Sequence, residues 1–194
     1  MTAFTGIIGA ALLAVAPPAA ASEQAPASGN AEVKAMFDAD QAARQDISKI
    51  NPEQLFKADS ERRERTRVLI DEGRLASADD FYYAAFIFQH GGEPADYLLA
   101  HTLAIAAVAE GRKDAKWIAA ATLDRYLQEL HQPQIYGTQY LTKMDGITRQ
   151  EPYDRALVPD ALRKVLGVPV LADQEKRRAE MQARRAKANP PVKK

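Results

Sequence analysis

Three ionisable side chains, His90, His101 and Asp124, lie in segments that are otherwise apolar. Polar groups on apolar helix faces cost free energy unless they find partners, so they mark either a shared polar network or a site. Imidazole and carboxylate groups can act as an acid/base pair in a hydrolase-like enzyme, and three nitrogen or oxygen ligands suit zinc. Their spacing matches no metal motif such as His-Glu-x-x-His. We therefore predict neither a metal nor a cofactor, and the sequence leaves open whether the protein is an enzyme.

A polar loop follows a proline break after the fifth predicted helix. Within six residues it carries two amides, a phenol and a hydroxyl: Gln134, Tyr136, Thr138 and Gln139. Gly137 permits a positive φ or a close backbone approach. Such a loop can satisfy buried polar groups or present donors and acceptors to a ligand. We expect it to fold back over the ends of the third and fifth helices and to meet His90.

Asp124 shares an apolar helix face with Trp117, Ala120 and Ala121, so we expect its carboxylate to be buried. A buried carboxylate is held ionised by an arginine or by several N–H groups. Arg125 points about 100° away around the helix and is expected to pair elsewhere. Partners for Asp124 are available on the first two helices: Asp40, Gln41, Arg44, Asp59, Arg62 and Arg63. The candidate polar centre and binding site then comprises Gln89, His90, His101, Asp124, Arg125, Gln134, Tyr136, Thr138 and Gln139.

Helical periodicity predicts an all-α fold that positions these groups. Its five core helices cover about residues 31–50, 51–72, 77–90, 94–110 and 113–130. Asn51-Pro52 and Ser77 are typical helix starts. We expect a helical bundle or an irregular helix-hairpin array. An ordered loop or irregular hairpin within 132–154, a short helix near 159–166 and a charged, exposed helix at 172–188 follow the core.

Composition excludes several classes of function. The 194 residues include no cysteine, which removes disulfides, thiolate catalysis and cysteine metal sites. Residues 174–194 carry eight Lys and Arg against two Glu, a net of +6, and because the whole chain is neutral the remainder carries −6. The globular part is therefore mildly acidic, and we predict no nucleic-acid partner.

The first 21 residues have the pattern of a secretory signal. Residues 7–15 are apolar, Pro17-Pro18 end the run, and three alanines precede Ser22. We predict cleavage near Ala21, a secreted or periplasmic protein, and no stable membrane insertion after cleavage, because the run is too short to span a bilayer. The predicted organisation is a signal peptide (1–21), a linker (22–30), an α-helical domain (31–170) and a charged, partly disordered tail (171–194).

Six short motifs occur in a fixed order along the chain: Asp40-Gln41-x-x-Arg44, Asp59-x-x-Arg62-Arg63, Ala84-Ala85-x-x-x-Gln89-His90, Ala100-His101, Asp124-Arg125 and Gln134-x-Tyr136-Gly137-Thr138-Gln139. The combination resembles a bacterial family of uncharacterised proteins, a domain of unknown function with Gln-His, Asp-Arg and Tyr-Gly-Thr-Gln signatures. The resemblance covers about residues 35–142. It implies an α-helical domain in which these polar residues belong together, and it implies no particular activity.

Three hypotheses for function follow. The leading one is an exported, non-enzymatic binding or structural protein of the cell envelope, whose partner is a small polar ligand or an envelope protein. The second is a hydrolase-like enzyme that uses His90 or His101 with Asp124. The third is a helical-repeat-like protein-interaction module, although no fixed repeat is found. Burial of the polar groups with their hydrogen bonds mutually satisfied would favour the binding or structural role. Convergence of these groups on an open cleft would favour the enzyme, and an exposed apolar groove would favour the interaction module.

Overall fold

Seven helices and one short antiparallel hairpin make up the part of the chain that the computed structural model describes, residues 29–46, 50–143 and 145–188. The elements are α1 (Ala31–Ala42), α2 (Pro52–Asp71), α3 (Ala78–Phe88), α4 (Pro94–Ala109), α5 (Ala115–Glu129), β1 (Leu141–Thr142), β2 (Thr148–Arg149), α6 (Asp160–Leu166) and α7 (Leu171–Ala188). The all-α prediction is confirmed, and the hairpin falls in the segment where the sequence predicted one.

Two helices begin where the sequence predicted. The Asn51 side chain accepts from the first backbone N–H groups of α2, and Pro52 occupies the first helical position. Ser77 and Asp80 form a capping box at the start of α3, in which each side chain accepts from the other residue's backbone N–H. Asp80 also accepts from the backbone N–H of Asn30, so the starts of α1 and α3 are tied together.

The third helix, whose sequence is almost continuously apolar from Phe81 to Phe88, lies at the centre of the core. It packs against α1, α2, α4 and α5, and it buries Ala84, Ala85, Ile87 and Phe88. Alanines line the contact between α4 and α5, which lets the two backbones approach closely. The buried alanines include Ala100, Ala104, Ala107, Ala115 and Ala119.

One expectation about the helices was wrong. The first helix ends at Ala42 rather than near residue 50, and the Arg44 guanidinium donates to the Asp40 carbonyl, 3.1 Å away, at the carboxyl end of the helix. Trp117 is 40 % exposed although it shares a face with buried Asp124. The two residues are separated by about two helical turns.

The C-terminal helix is mostly exposed, as predicted, but its inward side is anchored. Gln174 is fully buried. The Gln182 side chain accepts from the Thr148 backbone N–H at 2.7 Å and donates to the Gly146 carbonyl at 2.9 Å. These contacts hold the first three turns of α7 against the hairpin, beyond the domain end predicted at residue 170.

The predicted signal peptide and most of the predicted linker lie outside the described residues. Across the described ranges, none of the helices combines the length and the apolar character needed to traverse a bilayer.

Candidate functional site

The Asp124 carboxylate is completely buried beneath the loop of residues 134–139. Its Oδ1 accepts from the backbone N–H groups of Ile135 and Tyr136, at 2.8 and 2.9 Å. Its Oδ2 accepts from both the backbone N–H and the hydroxyl of Thr138, at 2.9 and 2.8 Å. Each oxygen therefore holds two donors, and the negative charge is stabilised by N–H and O–H groups of a single loop.

The expectation that Asp124 finds its partners on the first two helices is wrong. Arg44 binds Asp40 and Asp59 instead, and Arg62 binds Asp59. The loop supplies enough donors without them, so the alternative of several N–H groups is the one that occurs.

Gly137 makes this arrangement possible by turning the chain between Tyr136 and Thr138. Its φ is +74°, a left-handed conformation that L side chains rarely adopt. A Cβ at this position would overlap Gln174 Oε1 and the Tyr153 hydroxyl. Both properties expected of Gly137, a positive φ and a close approach, are confirmed.

Arg163 of α6 holds the other side of the same turn. Its guanidinium donates to the carbonyls of Tyr136 at 2.6 Å and Ile135 at 3.3 Å, and its side chain is completely buried. Gln174 of α7 also donates to the Tyr136 carbonyl, at 2.9 Å. The sequence analysis missed both residues, because α6 and α7 lie outside the motifs and a lone arginine in a short helix carries no local signal of burial.

Glutamine side chains brace the rest of the loop. The Gln134 amide donates to the carbonyls of Gln139 and Gln150, and its oxygen accepts from the Gln139 backbone N–H at 3.0 Å. Gln150, which was not predicted, donates to the Gly137 carbonyl at 2.7 Å. The Tyr136 phenol lies beside this network. Burial raises the pKa of Tyr136, and the Asp124 carboxylate raises it further.

Arg125 connects the loop to the end of α3. It donates to the Gln89 carbonyl at 2.7 Å and to Gln139 Oε1 at 3.3 and 3.4 Å. Gln139 in turn donates to the Ala121 carbonyl at 3.0 Å. Gln139 therefore connects the loop to α5, and Arg125 connects the loop to the backbone of Gln89 at the end of α3. Among the described residues, the hydrogen bond and ion pair of His90 involve Arg63 and Asp40 and not the loop. Gln89 takes part with its backbone carbonyl.

His90 belongs to a separate buried charge cluster between α1, α2 and the end of α3. Its Nε2 lies 3.5 Å from Asp40 Oδ2. Arg44 bridges Asp40 and Asp59 at 2.7 and 2.6 Å, and Arg62 binds Asp59 at 2.5 Å. Burial raises the pKa of Asp59, but the hydrogen bonds from both arginines outweigh burial and hold that pKa below its ordinary value.

The carboxyl end of α3 joins this cluster to the polar loop. Carbonyls at a helix end lack intrahelical partners. Here three successive carbonyls accept from side chains: Gln89 from Arg125, His90 from Arg63, and Gly91 from Tyr97. One helix end is therefore held by side chains from α2, α4 and α5.

His101 does not join the polar centre. Its Nδ1 lies 2.8 Å from the Ala119 carbonyl, which can only accept, so Nδ1 carries the proton and ties α4 to α5. Within the described ranges, no hydrogen bond or ion pair links His90 or His101 to Asp124. The seven other predicted site residues are connected through the loop and Arg125.

No group of three or more His, Asp or Glu residues in the described part of the chain is arranged to hold a metal ion. No protein-family model matches the chain, and no curated protein or solved structure matches it either. The family resemblance inferred from the motifs therefore stays a prediction.

Proposed function

We propose that this is an exported, non-enzymatic binding or structural protein of the cell envelope. In this proposal, the polar centre docks the hairpin, α6 and α7 onto the helical core. The observation that supports it is the complete hydrogen bonding of Asp124, whose two oxygens hold four donors beneath the loop.

The hydrogen bonding of Asp124 argues against a hydrolase-like role. A general base needs a free lone pair within reach of the substrate. The lone pairs of Asp124 are used, its side chain is fully buried, and neither histidine contacts it. The same features are typical of a group that ties a fold together, because leaving such a carboxylate without donors would be costly.

Export rests on the sequence of the first 22 residues, in which an apolar run is followed by two prolines and small residues before Ser22. An exported chain without cysteines has no disulfides, so packing and hydrogen bonding must hold it together. The buried polar centre supplies such hydrogen bonds.

Two measurements test the proposal. Fractionation of the native host with mass spectrometry should place the chain in the envelope or periplasm, with a mature N-terminus close to Ser22. Assays of the purified protein on chromogenic esters, phosphate esters and peptides should detect no turnover. A cytoplasmic chain that begins at Met1 would refute export. Turnover that His101→Ala or Asp124→Asn abolishes in a folded variant would refute the non-enzymatic role.

A further inference from the structure

A shallow cavity of about 390 Å³, widely open to solvent, lies between α2, the end of α3 and the start of α4. It is lined by Ser60, Arg63, Glu64, Arg67, Phe88 and Asp96. The four residues from α2 recur every three or four positions, so they form one face of that helix. None of the six takes part in the hydrogen bonding of Asp124, and the cavity is a feature separate from the polar centre.

Arg63 lines this cavity and is held in place by neighbouring groups. It donates to the His90 carbonyl at 2.8 Å, and its Nε lies 3.6 Å from Asp96 Oδ2. Its side chain is only 13 % exposed. The charge of Arg63 is therefore offset by Asp96, and its position is set by the end of α3.

Arg67 is held in a different way. Its guanidinium carbon lies 5.1 Å from the centroid of the Phe88 ring, and Phe88 is itself buried. Such a cation–π contact attracts the guanidinium to the ring without using its N–H donors, and Arg67 is exposed to solvent. Among the residues that the structure describes, Arg67 makes neither a hydrogen bond nor an ion pair. Glu64, its acidic neighbour in the cavity, accepts instead from the Ser60 hydroxyl at 3.2 Å.

The charges around the cavity select a class of ligand. Arg63 and Arg67 stand four residues apart on one helix, where like charges repel, and only the charge of Arg63 is offset by an ion pair. A planar carboxylate can accept two parallel hydrogen bonds from one guanidinium. Glu64 and Asp96 also line the cavity and would repel a more highly charged anion such as phosphate.

We propose that this cavity binds a small molecule bearing a single carboxylate, with Arg67 as its bidentate partner. The volume is within the range of small-ligand sites, near its lower end. Arg63 lies beside Arg67 in a fixed position with its charge offset by Asp96, which leaves Arg67 as the cation available to the carboxylate, and the Phe88 ring contacts the Arg67 guanidinium. The proposal goes beyond the role of the polar centre, and either can fail without the other.

NMR of the full chain tests this site with sodium acetate as the probe. The Arg67 Nε–Hε resonance and the amides of residues 60–67 are followed during titration at constant ionic strength, with sodium chloride and sodium phosphate in parallel. We expect a saturable shift with acetate, none with chloride, and weaker binding of phosphate. Chloride reproducing the shift, an acetate shift that does not saturate, or tighter binding of phosphate would each overturn the proposal.

Two variants sharpen the test. Arg67→Gln removes the guanidinium and should weaken acetate binding by about tenfold or more, as expected for a charge-assisted hydrogen-bond pair. Lys57→Gln is the matched control, because Lys57 lies on the same helix, is 79 % exposed and does not line the cavity. It should bind acetate as the parent does. Undiminished binding by Arg67→Gln, or equal loss in both variants, would show that Arg67 is not the receptor.

Discussion

Asp124 and Arg163 hold the same two residues of the loop from opposite sides. The carboxylate accepts from the N–H groups of Ile135 and Tyr136, and the guanidinium donates to the carbonyls of the same residues. The two buried charges make no direct hydrogen bond or ion pair with each other. Each is instead stabilised by backbone groups of the same turn, N–H groups for Asp124 and carbonyls for Arg163. Since Asp124 comes from α5 and Arg163 from α6, this turn is the joint between the helical core and the C-terminal elements.

Replacing Asp124 by asparagine should destabilise this joint strongly. The amide nitrogen of asparagine would replace one carboxylate oxygen, so its two N–H donors would face donors of the loop. At least one buried donor would then lack an acceptor. We expect Asp124→Asn to lower the free energy of unfolding by about 2–4 kcal/mol, measured by urea denaturation. Thr138→Val removes one of the four hydrogen bonds to Asp124 and also the acceptor of a Gln139 amide N–H, and it should cost about 1–2 kcal/mol. A urea midpoint unchanged in Asp124→Asn would contradict this account.

Arg163→Met tests whether the two charges act through one turn. The variant keeps much of the side-chain volume but leaves the carbonyls of Ile135 and Tyr136 with fewer donors, and we expect a loss of about 2–4 kcal/mol. Combined with Asp124→Asn, the two losses should deviate from additivity by roughly 1–3 kcal/mol in a double-mutant cycle. Additivity within about 0.5 kcal/mol would mean that the two residues stabilise independent parts of the fold.

Gly137 and Gly146 form a matched pair for measuring the packing of the loop. Both have a left-handed backbone, with φ of +74° and +77°, so alanine strains both by a comparable amount. Only at Gly137 would the added Cβ overlap other atoms, those of Gln174 and Tyr153. Gly137→Ala should therefore cost about 1–3 kcal/mol more than Gly146→Ala, and the amides of residues 135–140 should exchange faster. Equal losses in the two variants would argue against tight packing around Gly137.

The sequence predicted those features of the fold that depend on local pattern. Asn51 and Ser77 identified two helix starts, because a cap acts on backbone groups within three residues. The apolar neighbours of Asp124 indicated its burial, since helical spacing alone defines a shared face.

The choice of partners was not predictable in the same way. Asp124 had plausible cations on two helices, and only the tertiary path of the loop excludes them. Arg163 is of a type that is almost never fully buried without partners, and its partners are carbonyls that any sequence would provide. His101 was grouped with Asp124 because both lie on apolar faces, but it faces the Ala119 carbonyl across the contact between α4 and α5.

The second charge cluster should make stability depend on pH in the acid range. The pKa of Asp59 is held below its ordinary value of 3.8, so its ion pairs stabilise the fold fully above that value and are lost as pH falls below it. Asp59→Asn should flatten the decline of stability with acidification below about pH 4. Asp38→Asn, which alters an ion pair more than half exposed, should leave most of that decline in place. The measurement is urea unfolding at a series of pH values, and identical slopes in all three proteins would contradict the role of Asp59.

Gly91 and its neighbour Gly92 provide a test of the junction between α3 and α4. A Cβ at Gly91 would overlap both the Cβ and the carboxylate of Asp96. A Cβ at Gly92 would meet nothing within 4 Å. Because Asp96 lies in the first turn of α4 and pairs with Arg63, Gly91→Ala must shift that turn and disturb the pair. We expect a loss of about 1–3 kcal/mol for Gly91→Ala and a change within about 0.5 kcal/mol for Gly92→Ala. The Arg63 Nε–Hε resonance should move only in the former. If both variants unfold alike and leave that resonance in place, the close approach of Gly91 to Asp96 does not set the geometry of this junction.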